Sequence, residues 1–112
     1  MRLIIIPLNE EKIKEWRAFS EEIKKKHMEK IKDMNLRYGL TKHCTWVLER
    51  DAVSEAIALY EGPGSKNFLD KLSKSKDDFD VWVKERLEKI FDIDFSEDLQ
   101  VPQTELLLDS GF

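Results

Sequence analysis

Two histidines are the side chains of this chain best suited to proton transfer or ligand binding near neutral pH. His27 lies four residues after Ile23 and four before Ile31, near the centre of an apolar helical stripe. A polar group buried there needs a hydrogen-bond partner or a ligand. His27 is therefore the candidate catalytic or ligand-anchoring residue. The alternative is a core histidine bonded to a backbone carbonyl or to Tyr60.

The second histidine belongs to the stretch "TKHCTWVLER", residues 41–50, where His43 and Cys44 are adjacent. Successive side chains of a strand point to opposite faces, so these two residues diverge and cannot easily hold one metal ion together. One face then carries Thr41, His43, Thr45, Val47 and Glu49, and the other carries Lys42, Cys44, Trp46, Leu48 and Arg50. We expect the Cys44 face to lie under the helices and the mixed His43 face to line the interior or interface of a dimer.

Aromatic side chains could wall a pocket for an apolar molecule between sheet and helices. The candidate ligand-binding residues are His27, His43, Trp16, Phe19, Trp46 and Tyr60, with Trp82 as a further wall. No HExxH, CxxC, GxSxG or GxGxxG motif occurs, and "DIDFSED" lacks the later glycine and glutamate of a calcium loop. The sequence therefore predicts no metal site and indicates no cofactor.

Composition excludes several functional classes. The 112 residues predict one domain, 1–112, with 41% hydrophobic and 38% charged residues. The net charge of −4, with acids and bases interleaved, does not favour nucleic acid, whose phosphates need clustered Lys and Arg. No run approaches the roughly 20 apolar residues of a membrane span. The single cysteine, Cys44, favours a cytoplasmic location.

The elements that position these residues can be read from hydrophobic periodicity. "RLIIIPL" predicts a buried strand, and Asn9 caps a helix that runs to about Arg37 and stops at Gly39. Strands over 41–50 and 53–61 are joined by a tight turn and form a hairpin.

The second half of the chain predicts two helices and a last strand. Ser65 is expected to cap a short helix, and Ser75 with Asp78 has the capping-box spacing for another. "TELLLD" is the predicted last strand. The order is β-α-β-β-α-β with the second helix split, which predicts an α+β, ferredoxin-like fold with a four-stranded antiparallel sheet and helices on one face.

The order of elements, the passage "MNLRYGLTKHCTW" and the segment "DDFDVWVKERLEKIFDIDFSE" carry a resemblance to a known group. The chain resembles small bacterial and archaeal proteins of unknown function near the dimeric α+β barrel group, which includes the antibiotic-biosynthesis-type monooxygenases. The resemblance implies a homodimer whose sheets form a barrel, with ligands between sheet and helices or inside the barrel. It assigns no catalytic residue, because no defining catalytic motif matches.

Two functions remain open at this point. One is a protein that binds or transforms a small apolar or aromatic molecule in a pocket between sheet and helices. The other is a non-catalytic structural or regulatory interaction module without a pocket. A pocket above about 300 Å³ reached by His27 would favour the first, and a continuous core around His27 would favour the second. The sequence does not decide whether the protein is an enzyme.

Overall fold

The structure, a computed structural model, describes residues 1–97 and 104–111. Within them the chain is α+β, with four helices and one antiparallel sheet of three strands. The elements in chain order are β1 (Arg2–Leu8), α1 (Glu10–Lys26), α2 (Met28–Arg37), β2 (Lys42–Leu48), β3 (Ser54–Glu61), α3 (Phe68–Lys74) and α4 (Asp78–Phe91).

The sheet has the order β1-β3-β2, so β3 is central and β1 and β2 are edge strands. Ile57 pairs with Ile5 on one side and with Trp46 on the other. The predicted first strand and the predicted β2–β3 hairpin are confirmed. The predicted last strand, 104–109, has no regular secondary structure in the described residues. Thr104 Oγ1 at the start of this segment donates a hydrogen bond to the carbonyl of Leu3 in β1, at 2.8 Å.

The long predicted helix is in fact two helices that meet at His27. Asn9 caps α1 as predicted, because its side chain accepts a hydrogen bond from the Lys12 amide. His27 has φ −133° and ψ 17°, which are not helical angles, although its amide still donates to the Ile23 carbonyl. The prediction of a continuous helix to Arg37 was therefore wrong. The apolar spacing alone could not show it, because the spacing continues in register across the break.

The predicted split of the second helical segment is confirmed, but its caps differ from those expected. α3 begins at Phe68 after Asn67, not at Ser65. The cap of α4 is Asp77, whose carboxylate accepts from the amides of Phe79 and Asp80. Ser75 ends α3 and donates its hydroxyl to the Asp80 carboxylate instead. Neighbouring Ser and Asp residues offered equivalent caps, so pattern alone could not choose between them.

The core lies between the helices and one face of the sheet. That face carries Ala56, Ala58 and Tyr60 of β3, all buried, and His43 and Val47 of β2. Trp46 and Leu48 are 48% and 41% exposed. The assignment of the Cys44 face to the core was therefore wrong. The helices cover the His43 face, because β2 pairs with β3 in a register that aligns His43 with the buried Tyr60.

No helix among the described residues is long and apolar enough to cross a membrane.

Candidate ligand cavity between the sheet and the helices

A cavity of about 420 Å³ lies between the covered face of the sheet and helices α1 and α2. We call it the helix–sheet cavity. Its lining residues are Trp16, Phe19, Ser20, Ile23, Lys24, Met28, Ile31, Lys32, Met34, Asn35, His43, Thr45, Tyr60, Phe68, Val83 and Leu87. Its volume lies in the range of small-molecule sites, and its lining is mostly apolar with a few polar groups.

Aromatic rings form much of the cavity wall. Tyr60 and Phe68 have ring centroids 4.8 Å apart, and Trp16 and Phe19 have centroids 6.3 Å apart. The Trp16 indole is oriented by a hydrogen bond from Nε1 to the carbonyl of Trp46, at 3.3 Å. These rings are held by packing against the sheet, so the wall is formed without a ligand.

His43 supplies the polar group best suited to chemistry in the cavity. Its Nδ1 lies 3.0 Å from Oδ1 of Asn35, and its ring packs 4.8 Å from that of Tyr60. An amide oxygen only accepts, so Nδ1 carries the proton and Nε2 keeps its lone pair. Burial lowers the pKa of His43 to about 4. His43 is therefore neutral at physiological pH and can accept a hydrogen bond or a proton from a bound molecule.

Tyr60 provides a phenol on the same wall. It is 6% exposed, and burial raises its pKa to about 12. The hydroxyl is therefore neutral and can donate a hydrogen bond. Together His43 and Tyr60 bring one acceptor and one donor to a lining that is mostly apolar, which is an arrangement that can orient a hydroxyl or carbonyl group.

Four of the six residues predicted for the site line the cavity: His43, Tyr60, Trp16 and Phe19. Trp46 does not, because the alternation of the strand turns its side chain to the open face of the sheet. It borders instead an adjoining groove of about 340 Å³ that shares Trp16, Ser20, Lys24 and Thr45 with the cavity.

His27 lies outside the cavity lining. Its ring packs against α4, with its centroid 4.7 Å from Trp82 and 5.9 Å from Phe79. Nε2 lies 3.7 Å from the Glu22 carboxylate, and Nδ1 is buried without a hydrogen-bond partner among the described residues. Neither Tyr60 nor a backbone carbonyl of the described residues bonds that nitrogen. The alternative expected for His27, a core histidine with such a hydrogen bond, is therefore not observed either.

Asn35 and Asp80 are two polar residues whose roles sequence reasoning missed. Asn35 lies on α2 and orients His43 through a hydrogen bond. The sequence pointed to Asn35 only through its position one residue after Met34, which is buried. Asp80 is fully buried on α4 and accepts from both terminal nitrogens of Arg37, at 3.1 and 2.9 Å. Its signal was its place on the apolar stripe of α4, three residues before Val83.

The Asp80 carboxylate is the most completely bonded buried polar group of the molecule's described part. Besides Arg37 it accepts from the Tyr38 hydroxyl at 2.5 Å and the Ser75 hydroxyl at 2.7 Å. Burial alone would raise its pKa, but these hydrogen bonds outweigh that effect and hold the pKa below its usual value. We call Asp80, Arg37, Tyr38 and Ser75 the Asp80 cluster. None of its members lines the cavity.

No protein-family model matches the chain, and neither does any curated protein or solved structure. Among the described residues, no group of three or more His, Cys, Asp or Glu side chains is arranged to hold a metal ion. The geometry of the cavity is therefore the basis for inferring a function.

Proposed function

We propose that this protein binds a small, largely apolar organic molecule in the helix–sheet cavity, with His43 and Tyr60 as its polar contacts. The observation that carries the proposal is the cavity itself, about 420 Å³ against an aromatic wall. The space opens at the surface and its wall is already formed by packed side chains, so a small molecule can enter it and meet preformed contacts. Binding is the first step of this function. A neutral imidazole beside a neutral phenol also suits general acid–base chemistry on the bound molecule.

The resemblance to the dimeric α+β barrel group is consistent with this proposal, because that group is expected to place ligands between sheet and helices. The four-stranded form of the fold belongs to the same proposal. The free edge of β1 and the nearby residues 104–109 could supply the fourth strand, and the hydrogen bond from Thr104 to Leu3 supports that position. The single cysteine supports a reducing compartment such as the cytoplasm.

The test of cavity binding is a thermal-shift screen of small aromatic acids, quinones and haem, followed by titration calorimetry. Ser20 lines the cavity from α1, whereas Ala18 is an exposed residue of the same helix outside the lining. Ser20→Phe should fill the cavity and abolish binding. Ala18→Phe adds the same side chain elsewhere and should leave affinity unchanged. Ligand that binds Ser20→Phe as tightly as the wild type would move the site out of the cavity.

A second proposal concerns self-association, which is favoured by the open face of the sheet. This face carries the exposed Trp46 and Leu48, with the half-buried Cys44, Ile57 and Leu59 beside them. Large exposed apolar patches of this kind mark protein interfaces. A second copy of the same sheet is the simplest partner, because a two-fold axis would bury both patches at once.

Sedimentation tests whether the chain forms a dimer. The wild-type chain of 13.3 kDa should sediment at micromolar concentration with roughly twice that mass. Trp46→Glu should give a monomer, while Leu36→Glu, which changes an exposed leucine on α2, should remain a dimer. A wild-type monomer would contradict the dimer but would leave cavity binding intact.

A further inference from the structure

We propose that the ligand of the helix–sheet cavity is an organic monoacid, with an aromatic or alkyl body against the aromatic wall and its carboxylate near Lys24 and Lys32 at the rim. The inference rests on the proposed function and adds to it the chemical class of the ligand.

Solvent exposure is unevenly distributed around the cavity. Of the lining residues only four are exposed: Lys24, Met28, Lys32 and Thr45. They form the rim, and the remaining lining residues are buried or half-buried. Lys24, Met28 and Lys32 are spaced by four residues across the break between α1 and α2, so two ammonium groups and one flexible thioether flank the entrance. A molecule seated in the cavity therefore has its outer end next to positive charge.

The charges of the lining side chains are all positive. The two lysines are its only charged members at neutral pH, and no Asp or Glu contributes to the part of the lining that the structure describes. Lys24 Nζ contacts Glu21 at 3.2 Å, whereas the described ion pairs include none to Lys32. The entrance therefore retains an uncompensated positive charge, although the chain as a whole carries −4. A carboxylate supplies the complementary charge.

The deeper part of the cavity limits the acid to one carboxylate. The polar side chains deeper in the lining are Ser20, Asn35, His43 and Tyr60, and each is neutral in this environment. A second carboxylate buried among them would lose its hydration without gaining a cation. A hydroxyl or carbonyl group on the ligand body is matched instead, since His43 Nε2 accepts and the Tyr60 hydroxyl donates.

Calorimetry with matched acid and amide pairs tests the inference. The probes are benzoate, naphthalene carboxylate and phenylbutanoate, each beside its primary amide, which has the same shape without the charge. At about 20 mM salt we expect the best-fitting acid to bind roughly five- to tenfold more tightly than its amide, as partly exposed ion pairs permit. The preference should shrink at about 500 mM salt, because exposed charges are then screened.

Charge-removal variants show which lysines are responsible. Lys32→Met should weaken acid binding by about fivefold and leave amide binding unchanged, and adding Lys24→Met should remove the remaining preference. Lys30→Met is the matched control, since Lys30 is an exposed lysine of the same helix that lies outside the lining. It should change neither affinity.

The possible outcomes distinguish a failure of the monoacid inference from a failure of the proposed cavity binding. Amides that bind as tightly as their acids would overturn the monoacid inference while supporting an apolar cavity ligand. Acid preference that survives removal of both lysines would also overturn it. If no acid and no amide binds, the monoacid inference fails, and the proposed function fails with it only if the screen of quinones and haem also finds no ligand.

Discussion

The His43 site and the Asp80 cluster are two buried polar regions of one small domain, and they use their hydrogen bonds differently. Asp80 has four internal donors, from Arg37, Tyr38 and Ser75, so its bonding is complete without a ligand. His43 uses one nitrogen internally, on Asn35, and lines a cavity. The difference indicates separate roles. A saturated buried group holds elements together, whereas a buried group with capacity left over is positioned to meet a bound molecule.

Removal of the Asp80 carboxylate should give the largest effect on stability. Asp80→Ala leaves Tyr38 and Ser75 without their acceptor and the Arg37 guanidinium without its buried partner. We expect a loss of about 3–4 kcal/mol in unfolding free energy by urea denaturation, with ligand affinity unchanged in the remaining folded protein. Asp78→Ala, an exposed change two residues away, should cost about 0.5 kcal/mol. A loss below about 1 kcal/mol for Asp80→Ala would show that the Asp80 cluster does not stabilise the fold as proposed.

The pH dependence of stability should show that the pKa of His43 is lowered in the folded protein. Burial lowers its pKa to about 4 in the folded state from an ordinary value of 6.5. Between these values the unfolded chain binds a proton that the folded chain does not, so stability falls as the pH falls from about 6.5 to about 4 and this contribution then levels off. The loss should be at most about 3 kcal/mol.

The variant His43→Phe is the control for that measurement, because it lacks the titrating group. Its stability should vary less over the same pH range. Asp80 does not interfere, since the pKa of its carboxyl is lowered below the usual 3.8 and its contribution is lost only at more acidic pH. Identical profiles for wild type and His43→Phe would show that His43 is not buried in neutral form.

At neutral pH, His43→Phe should separate binding from stability. Phenylalanine keeps the ring against Tyr60 and Phe68 but has no hydrogen-bonding nitrogen. Asn35 is half-buried and can be hydrated, so unfolding free energy should change by less than about 1 kcal/mol. Affinity for a cavity ligand with a hydroxyl or carbonyl group should fall about tenfold, the value of one hydrogen bond. Unchanged affinity would take His43 out of the proposed site.

The smallest effect is expected at the other histidine. His27→Leu replaces a ring whose Nδ1 is buried and unbonded. It gives up one polar contact, at 3.7 Å with Glu22, and keeps an apolar side chain against Trp82 and Phe79. Unfolding free energy should stay within about 0.5 kcal/mol of the wild type, and ligand affinity should not change, because His27 lies outside the cavity lining. A variant that no longer binds the ligand would place His27 in the binding site and contradict the assignment of His43 as the histidine that contacts the ligand.

Sequence by itself determined the local elements of this protein. β-Branched runs, the Asn9 cap, Gly39 after the helix and the turn between the paired strands are signals carried by neighbouring residues. The strands and the start and end of the first helical segment that they predicted are present, but that segment is broken at His27. The aromatic residues Trp16, Phe19 and Tyr60 were likewise found from their places in those patterns, and all three line the cavity. The residues that sequence placed in the last strand, 104–109, depend on a distant partner, and they form no strand in the described chain.

Only the tertiary structure decided which histidine meets the cavity. Strand alternation established that His43 and Cys44 point apart, but either face of β2 could have been the covered one. Both faces are partly apolar, so local hydrophobicity did not distinguish them. The choice follows from the pairing of β2 with β3, which places His43 beside the buried Tyr60. At the helix break the His27 ring packs on Trp82 of α4, a contact between residues far apart in the sequence that no local pattern could show.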